Sequence, residues 1–191
     1  ATFETDGLSF VVFGEAWEYR EKVYLALHKP EGFECSHAPE YHESTLALLP
    51  DVLCERGVKM AGRLDVDTTG LMILSDDGPF IHRITSPKHR VPKVYQAEVR
   101  HPLKDEDIES LLSGVSLHGE PKPVVAAAVE KRGERELDIT IESGSYHQVR
   151  RMIAAISNRV ECLHRKQIGG LKLDLEEGEW RYLDDSDLAL F

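Results

Sequence analysis

The chain has only three cysteines in 191 residues, Cys35, Cys54 and Cys162, and no C-x-x-C pair. An odd number of widely spaced thiols offers neither a disulfide framework nor a zinc ribbon, so they read as buried or incidental. Nine histidines occur without ligand spacing or a cysteine partner, which removes the usual zinc signatures. No apolar run approaches the roughly 18 residues of a membrane span. The opening "ATFETDGLSF" lacks the basic flank and apolar core of a signal peptide. A cytoplasmic protein without a membrane partner is expected. Internal repeats, low-complexity tracts and long linkers are also missing. Because the first residue is Ala instead of Met, a trimmed chain that has lost an upstream segment is expected.

Positive charge is scarce overall: 23 Lys and Arg stand against 34 Asp and Glu, a formal net charge of −11. On average this disfavours nucleic acid, whose binding depends on phosphate neutralisation. The charges are nevertheless segregated. "HRITSPKHRVPK" carries Arg83, Lys88, Arg90 and Lys93 without an acid, and Tyr146 to Leu173 holds Arg150, Arg151, Arg159, Arg165, Lys166 and Lys172 against Glu161 alone. The acids collect in "KDEDIE" and "DLEEGEWRYLDDSD". If the two basic segments meet in space, an acidic protein presents a local basic groove.

An apolar fraction of 41% is ordinary for a globular core, and the length suits one large domain or two small lobes. "KVYLALHKP" and "LMILS" read as core strands, the latter closed by the turn residues "DDGP". "STLALLP" reads as a short capped helix ended by Pro50. "KVYQAEV" places Tyr95, Ala97 and Val99 on one face by the two-residue period of a strand, and "ELDITIE" does the same with Leu137, Ile139 and Ile141. "HPLKDEDIESLLSGV" reads as a helix with acids in its first turns and Gly114 near its C-cap. In "YHQVRRMIAAISNRV", Val149, Met152, Ile153 and Ile156 recur at helical spacing, which leaves Arg150 on the flank of the apolar stripe. The irregular alternation of strands and helices predicts an α+β fold with a mixed, largely antiparallel sheet. Residues 1–20 read as an extended lead-in and residues 21–191 as one domain, with lobes of about 21–100 and 101–191 around a cleft.

"GRLDVDTTGLMILSDDG" concentrates carboxylates at Asp65, Asp67, Asp76 and Asp77. Counted from Asp65, it nearly matches a calcium loop, with Asp65, Asp67, Thr69, Gly70 and Asp76 at positions 1, 3, 5, 6 and 12. The short Asp at the last position and the strand-like flank count against a metal. Turn chemistry accounts for Asp67 to Thr69 and for Asp76 and Asp77, leaving Asp65 open.

"AGRLDVDTTGLMILSDDG" closely resembles the signature of the RsuA-like pseudouridine synthases, whose G-R-L-D-x-D-T-x-G-L motif carries the catalytic Asp. "HKPEG", "HRITSPKH", "KVYQAEV", "GSYHQVRRM" and "LHRKQIGGLKLD" match further family segments in order, over about Lys22 to Leu183. Their forms are nearer the small-subunit rRNA branch than the large-subunit one. The resemblance implies the pseudouridine synthase fold, an N-terminal S4-type RNA-binding domain preceding this chain, and isomerisation of a uridine of 16S rRNA, uridine 516. The partner would be 16S rRNA or an assembling small subunit, and the protein a monomer. The reaction is redox-neutral and needs neither cofactor nor metal. A noncatalytic RNA-binding module of the same fold and a large-subunit rRNA synthase are the alternatives.

The resemblance assigns catalysis to Asp65, Tyr95 and Arg150. An aspartate is ordinarily ionised at neutral pH without an activating base. Arg150 would pair with Asp65, and Tyr95 would pack on the uracil. Gln148 and Val149 complete the same segment, Val149 on the apolar floor. A uridine inside folded RNA must be flipped out, and Arg63 occupies the position from which relatives fill the vacated stack. Lys29, Arg83, Lys88, Arg90, Arg165 and Lys166 are the candidates for phosphate contacts. His147 and His164 are suited to stack on or hydrogen-bond to RNA.

Overall fold

The computed structural model describes residues 6–12 and 14–191. Where an extended lead-in was expected, β1 (Ser9–Val12) and β2 (Glu15–Glu18) pair as an antiparallel hairpin apart from the main sheet; residues 1–5 of that segment lie outside the described residues. The other strands are β3 (Tyr24–Lys29), β4 (Lys59–Met60), β5 (Thr68–Ser75), β6 (Lys93–Val99), β7 (Ala128–Lys131), β8 (Glu136–Ile141), β9 (Val160–Ile168), β10 (Leu171–Lys172) and β11 (Trp180–Tyr182). They form one mixed sheet in the order β11-β3-β5-β9-β6-β8-β7, with β10 on β9 and β4 on β5. Its ladders are antiparallel except β5 with β9.

The expected division near residue 100 does not part this sheet. β9, from the second half of the chain, lies between β5 and β6 of the first, and β11 pairs with β3. The parallel register sets Gly70 opposite Arg165. Gly70 has φ +118°, and a Cβ there would lie 2.2 Å from the Arg165 carbonyl oxygen, so the two backbones approach this closely only because residue 70 has no side chain.

Among the described residues five α-helices cover the sheet: α1 (Asp51–Glu55), α2 (Gly78–Thr85), α3 (Asp105–Ser113), α4 (Gln148–Ala155) and α5 (Asp185–Leu188). On one face, Leu53 of α1, Leu111 of α3 and Val149, Met152 and Ile153 of α4 join Leu25, Leu27, Tyr95, Ala97, Leu137 and Ile139 in the larger core. On the other, Phe80 and Ile84 of α2 pack with Ala26, Leu71, Ile73 and Leu183, and Phe191 closes the end.

"DDGP" starts α2 instead of merely ending a strand. The Asp77 carboxylate accepts from Phe80 N (3.3 Å) as an N-cap, and Pro79 sits in the first turn, where its missing N–H costs nothing. Asp76 accepts from Val23 N (2.9 Å) and Arg56 Nε (2.8 Å), stapling β3 and α1 to the end of β5. α4 stops sooner than its apolar periodicity predicts. The chain turns at Ser157 (φ 58°), and the Asn158 side chain bonds His101 N and O, at 3.0 and 2.9 Å.

Candidate active site

The residues after β4 run without regular structure to β5, and Asp65 sits in the last turn before the strand, its carbonyl accepting from Thr68 N (3.1 Å). Lys29 supports that turn from within the protein. By the period of β3 it shares the inward face of Leu25 and Leu27, and it has no exposed surface. Its Nζ donates to the carbonyls of Pro30, Val66 and Thr68 at 2.9, 3.2 and 2.8 Å. Burial pushes its pKa below the ordinary lysine value. Lys29 is therefore a spacer under the turn instead of the phosphate contact expected from sequence.

The opposite wall is the start of α4. Gln148 is buried, and its Oε1 accepts from Ser143 Oγ (2.9 Å) and Ser145 N (3.0 Å), which fixes the loop that enters the helix. Arg150 reaches across to β5: its Nη2 donates to Thr68 Oγ1 (3.2 Å) and stands 3.0 Å from Asp67 Oδ1, and its Nε stands 3.6 Å from Asp65 Oδ2. This buried Nε has no hydrogen-bond partner among the described residues, and Asp65 is the carboxylate it faces. On the other side, His147 Nε2 stands 3.1 Å from Asp65 Oδ1. The two oxygens of one partly exposed carboxylate thus face an imidazole and a guanidinium. Asp67 and Thr68 hold that guanidinium, and Thr68 and Thr69 already belong to β5 instead of the expected turn.

Asp65 faces a cavity of about 170 Å³ whose lining includes Arg63, Lys93, Tyr95, Val149, Arg150 and Arg165. Tyr95 comes from β6, Val149 from α4 and Arg165 from β9, the strand between β5 and β6. Arg165, another expected phosphate contact, is an interior residue with 2% exposure. Its Nε donates to Leu71 O (2.8 Å) just past the last β5–β9 pair, and its Nη1 donates to Tyr95 Oη (3.3 Å), tying the ring to the sheet. Lys93 is half-buried beside them, and burial, with the Arg165 charge, lowers its pKa.

Arg63 is exposed at the cavity mouth. Arg83, Lys88 and Arg90 are exposed on α2 and the loop after it, where Thr85 reaches the cavity wall. Lys166 is not with them. Its Nζ pairs with Asp138 Oδ2 on the opposite face of the sheet, removing it from the expected contact set. His164 faces the same way, bonded through Nδ1 to Thr69 Oγ1 (2.8 Å). Among the described residues no three His, Cys, Asp or Glu side chains converge as a cation cage. Where the near-match to a calcium loop would need an ion, Arg150 lies against both Asp65 and Asp67.

Sequence reasoning assigned no site role to Lys93, Thr68 or Ser145, and it treated His147 only as an RNA contact. The adjacency of His147 to the helix carrying Arg150 was the available signal for its place beside Asp65.

Residues 23–155 match a family model described as RNA pseudouridylate synthase. The chain is 42% identical over 180 residues to the ribosomal small subunit pseudouridine synthase A of Vibrio cholerae, covering 91% of this chain and 78% of that protein. It is 41% identical over 168 residues to the protein of the same name from Escherichia coli, covering 87% and 72%. A crystal structure of a pseudouridylate synthase superposes with TM-score 0.85 at 41% identity, over 90% of this chain and 74% of that one. A Cbf5-Nop10-Gar1 complex, at 18% identity and TM-score 0.54 over 80% of this chain and 50% of that one, shares the fold alone.

Proposed function

Because the chain belongs to the RNA pseudouridylate synthase family, we propose that it isomerises a uridine of small-subunit ribosomal RNA to pseudouridine with Asp65 as the reacting carboxylate. The observation that carries this reading is the bracketing of Asp65 by His147 and Arg150 at the edge of a cavity closed by Tyr95 and Val149. The C1′–N1 bond of the flipped nucleotide breaks, the uracil turns, and a C1′–C5 bond forms. The proton lost from C5 is balanced by one gained at N1, so no oxidant, hydrolysis or cofactor enters.

Asp65 supplies negative charge or a nucleophile to the sugar or ring while Arg150 keeps it oriented. Tyr95 packs on the uracil, its hydroxyl held by Arg165 Nη1. Arg63 fills the space that the flipped base vacates, and Arg83, Lys88 and Arg90 meet phosphates along the rim. Gln148 acts through the loop it braces. The preferred target is uridine 516, in 16S rRNA or an assembling subunit, and the enzyme works as a monomer.

The test is to map pseudouridine in small-subunit rRNA and precursor particles treated with the protein, with and without EDTA, beside Asp65→Asn. Product at one uridine, insensitive to EDTA once RNA folding is controlled and absent with Asp65→Asn, is expected. Product that survives Asp65→Asn removes the assigned carboxylate. Absence of product on every substrate removes the function.

A further inference from the structure

Tyr146 is 73% exposed, yet its ring is not without a neighbour. It stacks on His147 with ring centroids 3.7 Å apart and planes 20° from parallel. His147 is held in the left-handed region at φ 47°, a conformation that costs a non-glycine residue about 1–3 kcal/mol and persists where surrounding contacts impose it. Arg151 adds a further tie, its Nη1 donating to the Tyr146 carbonyl (3.3 Å) and its Nη2 to the carbonyl of His118. An aromatic ring thus stands in water with one face on His147, and His147 in turn lies 3.1 Å from Asp65.

The catalytic cavity continues, past Arg63, Leu64, Asp65 and His147, which line both, into a wider groove of about 550 Å³ that Tyr146 and Glu34 also line. A flipped nucleotide stays tethered to its neighbours, so RNA leaving the cavity passes through the space beside Asp65. The groove carries Arg63 and Glu34 together and offers phosphate no concentrated positive charge. What it offers is an aromatic plane, which every nucleobase can cover regardless of sequence.

We infer that Tyr146, backed by His147, is a stacking subsite for the RNA base adjacent to the flipped uridine. The inference rests on the proposed RNA activity but is read by binding as well as by turnover. The subsite works without charge neutralisation, so its contribution is insensitive to salt, unlike that of the basic rim.

The experiment uses small-subunit rRNA fragments carrying 2-aminopurine at each position flanking the target uridine, with the parent protein, Tyr146→Leu and Tyr146→Phe. The parent quenches the probe at one flanking position, Tyr146→Leu abolishes the quench, and Tyr146→Phe restores it. Tyr146→Leu raises KM for pseudouridine formation about tenfold, within the range for one lost base–aromatic stack, without changing the salt slope of binding. Thermal melts confirm that the variants fold, as substitution at an exposed ring predicts. No quench at any flanking position, or a Tyr146→Leu protein equal to the parent, overturns the subsite. Quenching without product from the parent leaves the subsite standing and removes the catalytic reading instead.

Discussion

Replacing Gly70 by Ala is expected to damage the protein far more than one methyl group suggests. The added Cβ would lie 2.2 Å from Arg165 O, 2.6 Å from Arg165 N and 2.8 Å from Arg165 C, all backbone atoms, whereas ordinary contact begins at 3.4 Å. β5 and β9 must therefore part by roughly 1 Å, a strain of the kind that costs overpacked interiors about 1–3 kcal/mol. The φ of +118° adds about 1–3 kcal/mol for a residue with a side chain. Together these predict a loss of about 2–6 kcal/mol, a large share of the ~5–15 kcal/mol typical of a folded domain. Gly57 is the control, since its φ is +81° but nothing lies within 4 Å of the point a Cβ would occupy; Gly57→Ala should cost about 1–2 kcal/mol. Urea unfolding followed by circular dichroism measures both. The folded fraction of Gly70→Ala should also lose turnover, because Gly70 lies two residues from Thr68 and opposite Arg165. A Gly70→Ala protein no less stable than Gly57→Ala would refute the close-approach reasoning.

Tyr24 donates to Asp77 Oδ2 (2.6 Å), and burial, with that hydrogen bond and the Asp77 charge, pushes its pKa up to about 12. A raised phenol pKa gives stability that is fully present below pH ~10 and lost as pH climbs toward 12. Stability curves of the parent should fall more steeply in that window than those of Tyr24→Phe; parallel curves would contradict this. The comparison also isolates Tyr24 from Lys29 and Lys93, whose lowered pKa values act in the opposite sense. Lys29→Met strips a charged donor from three carbonyls and should cost about 2–4 kcal/mol in urea unfolding while depressing kcat through the Asp65 turn. An active, equally stable Lys29→Met protein would show that the lysine is not the support of that turn. Arg83→Ala with Lys88→Ala should weaken RNA binding uniformly across sequences and reduce the log K against log salt slope by about 1–2. An unchanged slope would remove both residues from the RNA path.

The strands with clear two-residue alternation, and α4 with its 3.6-residue stripe, were legible because each buries one face against the core. β6 shows this in Tyr95, Ala97 and Val99, all buried. α2 was missed because Asp-Gly-Pro is equally good turn chemistry and helix-start chemistry, and only packing of Phe80 and Ile84 decides between them. Lys29 and Arg165 were misplaced because long cations are almost never fully interior. The signal was nevertheless present in phase, since Lys29 follows Leu25 and Leu27 on the inward positions of β3. The pairing of β5 with β9 is non-local and leaves no mark in either segment alone. The resemblance placed Asp65, Tyr95 and Arg150 in one site, and their side chains line one cavity, but it did not reveal that Gln148 already spends its carbonyl oxygen on Ser143 and Ser145.

The insertion of β9 between β5 and β6 also has a consequence for synthesis. Asp65 and Tyr95 leave the ribosome before the strand that holds their two halves together, Val160–Ile168. Until that segment emerges, β5 and β6 have open edges toward each other, and pairing of this sequence separation is slow to nucleate. A nascent chain halted before residue 160 would carry Asp65, the proposed reacting carboxylate, without a closed pocket, so the pocket forms in one step as β9 emerges instead of being assembled strand by strand.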